Sequence, residues 1–476
     1  MLKNTNFARV KRIIKTEYLI LSVVLFLGLV LRLYRIQNPV ADWHSWRQAD
    51  TASVSREFVK NGINLLYPKY HDISSIQTGI PNPEGFRMVE LPIYNAVHAT
   101  LFNVFGRFSL EMWGRLTSVI FALISAVFLF LIGKKLYSTK IGILSSFFYL
   151  VLPYNIYFTR VILPESMGVC LSLAGIYFAI LYLYKQKTAN LVLFVVFFSL
   201  SLLVKPFFAF FLIPLAYLFK LKKLKLDRKI LFSVVLTLLP FIMWRFWISN
   251  FPEGIPFFKW AFNGDKIRFH PAFFRWLFGE RLGILILGGW GLVPFVFGLV
   301  KKENNKFSLW FIVSMLAYVT VVATASIRHD YYQIMAIPAI VLVLSLGVVE
   351  LWKKSKLLVV LSILVMMLVS WDRIRPFYQI NHPEIIEVGK IVDETLPLDA
   401  LIIAPYIGDT AFLYQTNRWG WPAIDDSIDN IIERGADYYV SVDLQSLDTV
   451  NFEKRFKTLL KTDMYIILDL HKENIK

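Results

Sequence analysis

Two carboxylates, a histidine and an arginine fall within the nine residues that open Asp42-Trp43-His44-Ser45-Trp46-Arg47-Gln48-Ala49-Asp50-Thr51. They follow directly on an apolar run. A carboxylate placed there can act as a general base toward a hydroxyl or help to hold a divalent metal. Asp50 to Lys60 reads as a helix, with Arg47, Gln48 and Asp50 at its first turn, and donors at a helix start suit an anionic group. The competing reading is a solvated loop anchored by interfacial tryptophans. Further on, Arg87-Met88-Val89-Glu90-Leu91-Pro92 puts Glu90 ahead of a proline-started helix. Glu90 is then either a site acid or a first-turn cap.

More charged residues sit at the edges of apolar runs. Arg160 and Glu165 flank Pro164, and they either pair with each other or serve a site. Lys205 lies between two apolar runs with no acid near it in sequence, which fits either an interfacial lysine or a bound anion. Arg328-His329-Asp330-Tyr331-Tyr332 follows another run. A Lys, an Arg and a Tyr converging on one spot would suit a phosphate or diphosphate. His44, His71, His329, Asp42, Asp50, Asp72 and Glu90 could supply a divalent metal, but none shows the spacing of a strong ligand motif. The single cysteine, Cys170, allows no internal disulfide and no Cys-based zinc site.

The elements that must position these groups are membrane helices. Apolar residues make up 56% of the 476-residue chain and charged residues only 18%, too little charge to cover a soluble surface. Runs of about 20 apolar residues suit a bilayer. Eleven candidate spans follow: 17–36, 112–133, 141–159, 163–184, 189–204, 206–220, 229–249, 282–300, 307–326, 331–351 and 356–372. The first lacks a small-residue cleavage site and reads as a signal anchor. The stretch 91–105 is short and interrupted, and is left as an interfacial or re-entrant segment. With the N-terminus inside, the tail residues Lys3, Arg9, Lys11, Arg12 and Lys15 share one side with every basic short loop, such as Lys134-Lys135, Lys220 to Lys229 (including Lys225) and Lys353-Lys354. The net charge of +17 is then a topological signal and an attraction to anionic lipid rather than a nucleic-acid footprint. Segments 37–111, 250–281 and the C-terminal region face outward. Residues 381–476 change composition, with 9 Lys+Arg against 17 Asp+Glu, and read as a small α/β domain appended to a membrane domain at 1–380. A helix is expected at 383–396 and strands at 400–404, 438–442 and 465–470.

Asp42 with Trp-Arg-Gln-x-Asp-Thr, then Glu-x-Pro-x-Tyr, Arg-x-x-x-Pro-Glu and His-x-Tyr-Tyr, with a small C-terminal domain, resembles the C-type glycosyltransferases. Within them it is similar to a bacterial family related to the protein O-mannosyltransferases and to the aminoarabinose transferase that modifies lipid A. The resemblance implies a polytopic helical bundle in the plasma membrane that moves a sugar from a polyprenyl-phosphate donor to an acceptor glycan, lipid or protein at the outer face. It implies that Asp42 or Asp50 activates the acceptor hydroxyl, with Glu90 as a further catalytic acid. It implies that Lys205 and Tyr332 hold the donor phosphate and that Glu165 matches a further site acid. From their shared outer-face position, Arg328 is expected beside the phosphate, and His44, Arg47, Gln48, Arg160, Glu165 and His329 are expected to line the substrate. The relatives carry an Asp-Glu pair where this chain reads Arg47-Gln48. No cofactor is fixed by the motifs, and a divalent metal stays open. The alternatives are a lipid-linked sugar transporter and a ligase using a polyprenyl-diphosphate donor. Against transport, the middles of the spans are almost free of charge.

Overall fold

The computed structural model describes residues 2–223, 227–303 and 305–474, with the side chains of residues 2–15 and Asp265 left out. The basic side chains of Lys3, Arg9, Lys11, Arg12 and Lys15, and all of Lys225, lie outside the described residues. The apolar runs fold as helices, as a bilayer requires when backbone groups have no water to bond. Among the described residues, five are long and apolar enough to cross a membrane: Leu110–Leu136, Glu165–Lys185, Arg228–Ile248, Asp330–Lys354 and Lys356–Tyr378. Shorter apolar helices cover Thr139–Val151, Thr188–Val204, Pro206–Leu221 and Phe307–Val321. The first run lies in Leu2–Arg32.

Two expected spans are broken. The run at 141–159 ends its first helix at Val151, and Pro153 opens a second, Pro153–Phe158. Proline has no N–H for the preceding turn, so the helix must restart there. The run at 282–300 comprises a wide-turned π-helix, Arg275–Ile286, and a separate helix, Leu292–Val300, with Gly288 and Gly289 at positive φ between them. The interrupted stretch 91–105 forms Ile93–Phe105, 13 residues long. At 1.5 Å per residue that reaches about 20 Å, short of the ~30 Å hydrocarbon core.

The chain forms two compact units. One comprises Met1–Ile36, Leu116–Trp244 and Phe258–Pro376, the other Gln37–Arg115, Arg245–Phe257 and Phe377–Lys476. In the first, Glu165–Lys185 packs along Thr188–Val204, and Leu292–Val300 along Ile337–Lys354. At that second contact a Cβ on Gly347 would lie 1.6 Å from the Pro294 carbonyl oxygen, so only glycine lets the backbones approach this closely.

The second unit is built round a five-stranded sheet. Its strands are β1 (Leu401–Ile403), β2 (Trp419–Trp421), β3 (Tyr438–Ser441), β4 (Phe456–Lys461) and β5 (Ile466–Glu473), in the order β2-β1-β3-β5-β4. β1 runs parallel to β2 and β3, and β5 runs antiparallel to β3 and β4. The strands expected at 400–404, 438–442 and 465–470 are β1, β3 and β5, and the expected helix is Glu384–Thr395. Residues 71–73 extend the sheet beyond β2: the Gly420 N–H donates to the His71 carbonyl at 2.9 Å, and the Ile73 N–H to the Gly420 carbonyl at 3.0 Å. A Cβ on Gly420 would fall 1.8 Å from the Ile402 carbonyl oxygen, so the strand between these two neighbours tolerates only glycine there. Ile73 joins Ile403, Trp421, Tyr439, Ile466 and Leu468 in one apolar core. The helix Ser45–Asn61 packs against Ile93–Phe105 and against the short helix Ala411–Gln415.

Candidate functional site

The helix expected from Asp50 starts earlier, at Ser45. His44 adopts a left-handed conformation (φ 59°) and turns the chain into it. Arg47 and Gln48 therefore occupy the first turn as expected, while Asp50 lies in the second. Asp42, upstream of the helix, is buried. Its Oδ1 accepts from Gln48 Nε2 at 2.7 Å, and its Oδ2 lies 3.3 Å from Arg115 Nη2, itself wholly buried. Arg115 also donates to the Asn38 and Pro39 carbonyls. Arg47 pairs with Glu90 at 2.6 Å. Asp50 is fully buried and takes three donors: Arg87 Nη2 at 2.8 Å, Gln77 Nε2 at 3.3 Å and Thr410 Oγ1 at 2.7 Å. Each catalytic candidate of this segment thus sits beside a guanidinium. A small open cleft is lined by Arg47, Asp50, Arg87, Glu90 and Asn95 among others.

Around Asp50, burial disfavours the charged form of three neighbours. Burial raises Asp72 to about 6, although Ser74 N–H donates to it at 2.9 Å. Burial lowers His71 to about 4, and its Nε2 lies 3.3 Å from the Thr410 carbonyl oxygen. Burial likewise raises Asp409 to about 6, despite bonds from Ser45 Oγ and the Ala411 N–H.

The other cluster lies in the first unit. Glu165 opens its helix directly after Pro164, where an acid favours the helix dipole. Thr188–Val204 ends at Val204 because Pro206 biases the preceding residue to an extended conformation, and Lys205 adopts it (φ −160°, ψ 123°). These two helix ends bring Lys205 Nζ onto Glu165 Oε1. Glu165 is buried, and its Oε2 has no hydrogen-bond partner among the described residues. Lys205 Nζ also lies 4.7 Å from the ring centre of Tyr332 and 5.5 Å from that of Tyr331, within cation–π range. The His329 ring stacks with both tyrosines. Arg281 Nε lies 2.8 Å from Asp330 Oδ1. Glu165 thus pairs with Lys205 and not with Arg160; Arg160 is buried and donates to the Arg35 carbonyl at 3.0 Å. Arg328 is exposed at the end of Ala323–Arg328.

The structure therefore gathers Asp42, Arg47, Gln48, Asp50 and Glu90 in one unit, and Glu165, Lys205, His329 and Tyr332 in the other. Sequence reasoning gave no role to Arg115, Arg87, Arg281, Tyr331, Asp409 or Thr410. Arg115 carried a signal, because an arginine inside an apolar span is costly and needs a reason. Nothing local marks Thr410, whose partner Asp50 is 360 residues away. Among the described residues, no three His, Cys, Asp or Glu side chains gather as a metal cage.

Residues 90–247 match a family model described as dolichyl-phosphate-mannose-protein mannosyltransferase. No curated protein sequence matches the chain significantly. Among solved structures, the chain is similar to ArnT from Cupriavidus metallidurans bound to undecaprenyl phosphate, with a TM-score of 0.68, 12% identity, and coverage of 94% of this chain and 97% of that one. It is also similar to the Archaeoglobus fulgidus oligosaccharyltransferase in complex with Zn and sulfate, with a TM-score of 0.56, 9% identity, and coverage of 89% and 68%. AglB of the same organism, in complex with an inhibitory peptide and a dolichol-phosphate, gives 0.54 at 10% identity, covering 93% and 72%. At such identities the structural likeness is one of fold. That fold is the C-type membrane glycosyltransferase fold, a helical bundle with a small C-terminal sheet, and the chain is a multi-pass membrane protein. Over residues 90–247 the chain is similar to the dolichyl-phosphate-mannose-protein mannosyltransferase family model, and in fold it is similar to ArnT.

Proposed function

We propose that the chain transfers a sugar from a polyprenyl phosphate to a hydroxyl of an acceptor glycan, lipid or protein at the outer face of the plasma membrane. The observation that carries this reading is Lys205, a cation bedded on two tyrosine rings at a break between apolar helices, where a lipid-anchored phosphate would lie. Likeness to an ArnT bound to undecaprenyl phosphate supports a donor of that chemistry. The basic short loops support an N-terminus in the cytoplasm, with residues 381–476 as an extracytoplasmic α/β domain beyond a membrane domain at 1–380.

Lys205, with Tyr332 and Arg328, holds the donor phosphate. Glu90 and Glu165 line the sugar side with Arg160 and His329. Asp42 or Asp50 takes the proton of the acceptor hydroxyl, and His44, Arg47 and Gln48 lie against the substrate. The acceptor oxygen attacks the anomeric carbon, the bond to the phosphate oxygen breaks, and the electron pair leaves with the polyprenyl phosphate. Cations at that oxygen stabilise the charge as it develops. Attack opposite the leaving group inverts the anomeric centre, so a β-linked donor yields an α-linked product.

The test is incubation of the purified protein with a panel of polyprenyl-phosphate sugars and envelope acceptors. Released polyprenyl phosphate identifies the donor, and no release with any donor speaks for transport. Asp42→Asn and Asp50→Asn separate the two candidate bases: the true base loses about 10²-fold or more in rate. Near-normal turnover in both variants would remove the role from both.

A further inference from the structure

Thr410 precedes the helix Ala411–Gln415, the position where a threonine hydroxyl normally accepts a bond from its own helix. Here it makes no such bond, and Asp409 Oδ1 accepts from the Ala411 N–H instead, at 2.7 Å. The Thr410 hydroxyl is turned the other way, into the buried polar cluster of the helix Ser45–Asn61. It is 2% exposed. Two acceptors lie within its reach, Asp50 Oδ1 at 2.7 Å and the Trp46 carbonyl at 3.2 Å. A hydroxyl carries one proton and can donate to only one of them at a time. Its backbone is pinned by His71, whose Nε2 lies 3.3 Å from the Thr410 carbonyl oxygen.

Arg87 and Gln77 both bond Asp50 Oδ2, and Arg87 and Gln77 bond each other as well. Among the described residues Oδ1 takes one donor, Thr410, where a carboxylate oxygen can accept two. Oδ1 is therefore the oxygen of Asp50 that an incoming hydroxyl can address, beside Thr410. We infer that Thr410 is a positioning residue for Asp50: its hydroxyl holds Oδ1 so that the second lone pair meets the acceptor hydroxyl. With the Trp46 carbonyl in reach of the same Oγ1, a turn of the O–H about the Cβ–Oγ1 bond releases Oδ1 without moving the side chain. Serine would reproduce the device; valine, with the same shape and no hydroxyl, would not. The inference rests on the reading of Asp50 as an acceptor-side carboxylate.

The experiment compares Thr410→Ser, Thr410→Val and Asp50→Asn in the full-length purified protein. Turnover is read as release of polyprenyl phosphate from the undecaprenyl-phosphate sugar that the wild type uses. Thr410→Val is expected to lose about tenfold or more in kcat, with the donor KM unchanged, and Thr410→Ser to keep near wild-type turnover. A packing role predicts the reverse, an active valine variant and an impaired serine variant, and would overturn the inference. Thr410→Val placed in Asp50→Asn should cost nothing further. Loss in Asp50→Asn with wild-type behaviour in Thr410→Val overturns the role of Thr410 alone, whereas full activity in Asp50→Asn takes Asp50 and Thr410 down together. If the valine variant does not fold, Thr410→Ala against Thr410→Ser carries the same comparison. A readout free of substrate is amide hydrogen exchange over residues 45–52: faster exchange in Thr410→Val than in Thr410→Ser supports the anchor, and equal exchange in both overturns it.

Discussion

At the scale of single residues, the candidate site is a set of carboxylates each held by a cation. Asp50 and Arg87 form such a pair, 0% and 8% exposed at 2.8 Å. Breaking a buried pair from one side strands the other charge. Arg87→Met is therefore expected to lower stability by about 3–5 kcal/mol, and the double variant Arg87→Met/Asp50→Asn to lose less. Thermal unfolding of the three proteins checks this, and a double variant worse than Arg87→Met would contradict it. Lys205 makes a different case, because beside its pair with the buried Glu165 its proposed further partner is a ligand. Lys205→Ala should weaken donor use by about 2–5 kcal/mol, the scale for removing one member of a desolvated charge pair. Acceptor affinity should not change. Titration of donor and acceptor on both proteins decides; a fall in acceptor affinity alone would assign Lys205 to the acceptor.

At the scale of elements, the segment 71–73 joins the first loop to the sheet and carries two neighbouring groups whose pH responses oppose each other. Burial raises Asp72 to about 6, above the unfolded value near 3.9, so its contribution is full at low pH and is lost as pH rises through about 6. Burial lowers His71 to about 4, below about 6.5 when unfolded, so its contribution is full at neutral pH and is lost as pH falls through about 4. Between about pH 4 and 6 the two slopes offset each other. Relative to wild type, Asp72→Asn should become more stable as pH rises across that window, and His71→Gln less stable. Unfolding temperatures at several pH values test the signs, and two variants shifting the same way would refute the pairing. Much of the element plan was legible in the sequence. Apolar length gave the helical runs, and β-branched and aromatic residues gave β1, β3 and β5. Proline and glycine breaks inside apolar runs were not legible, because hydropathy does not record a helix restart. β2 and β4 were missed for opposite reasons. Trp419-Gly420-Trp421 is too short and has glycine at its centre, while Phe456–Lys461 is a charged edge strand. The carboxylates of the site were legible from their crowding in one loop. Of their partners, Arg115 showed only as a charge inside an apolar run, and Thr410 showed not at all, since pairing over 360 residues leaves no local pattern.

At the scale of the whole molecule, the proposed topology makes a direct forecast. Ser427 and Ser138 are both exposed helix caps. A cysteine at Ser427 should react with an impermeant reagent on intact cells, and one at Ser138 should not; labelling at Ser138 would invert the orientation. The joining of residues 71–73 to β2 also has a consequence in time. Ser75 and Asp425, which hydrogen-bond beside that seam, are 350 residues apart. A ribosome adding roughly 5–20 residues per second needs on the order of 20–70 s to cover that interval. For that whole period the first loop exists without Gly420, Thr410 or the sheet, and its acids and arginines have no finished place to be buried. The birth of this unit therefore waits on the end of the chain. A nonsense mutation or a stalled ribosome near residue 400 would leave nearly all the apolar helices made but the loop that carries Asp42 and Asp50 unfinished, a nascent product for proteases to recognise.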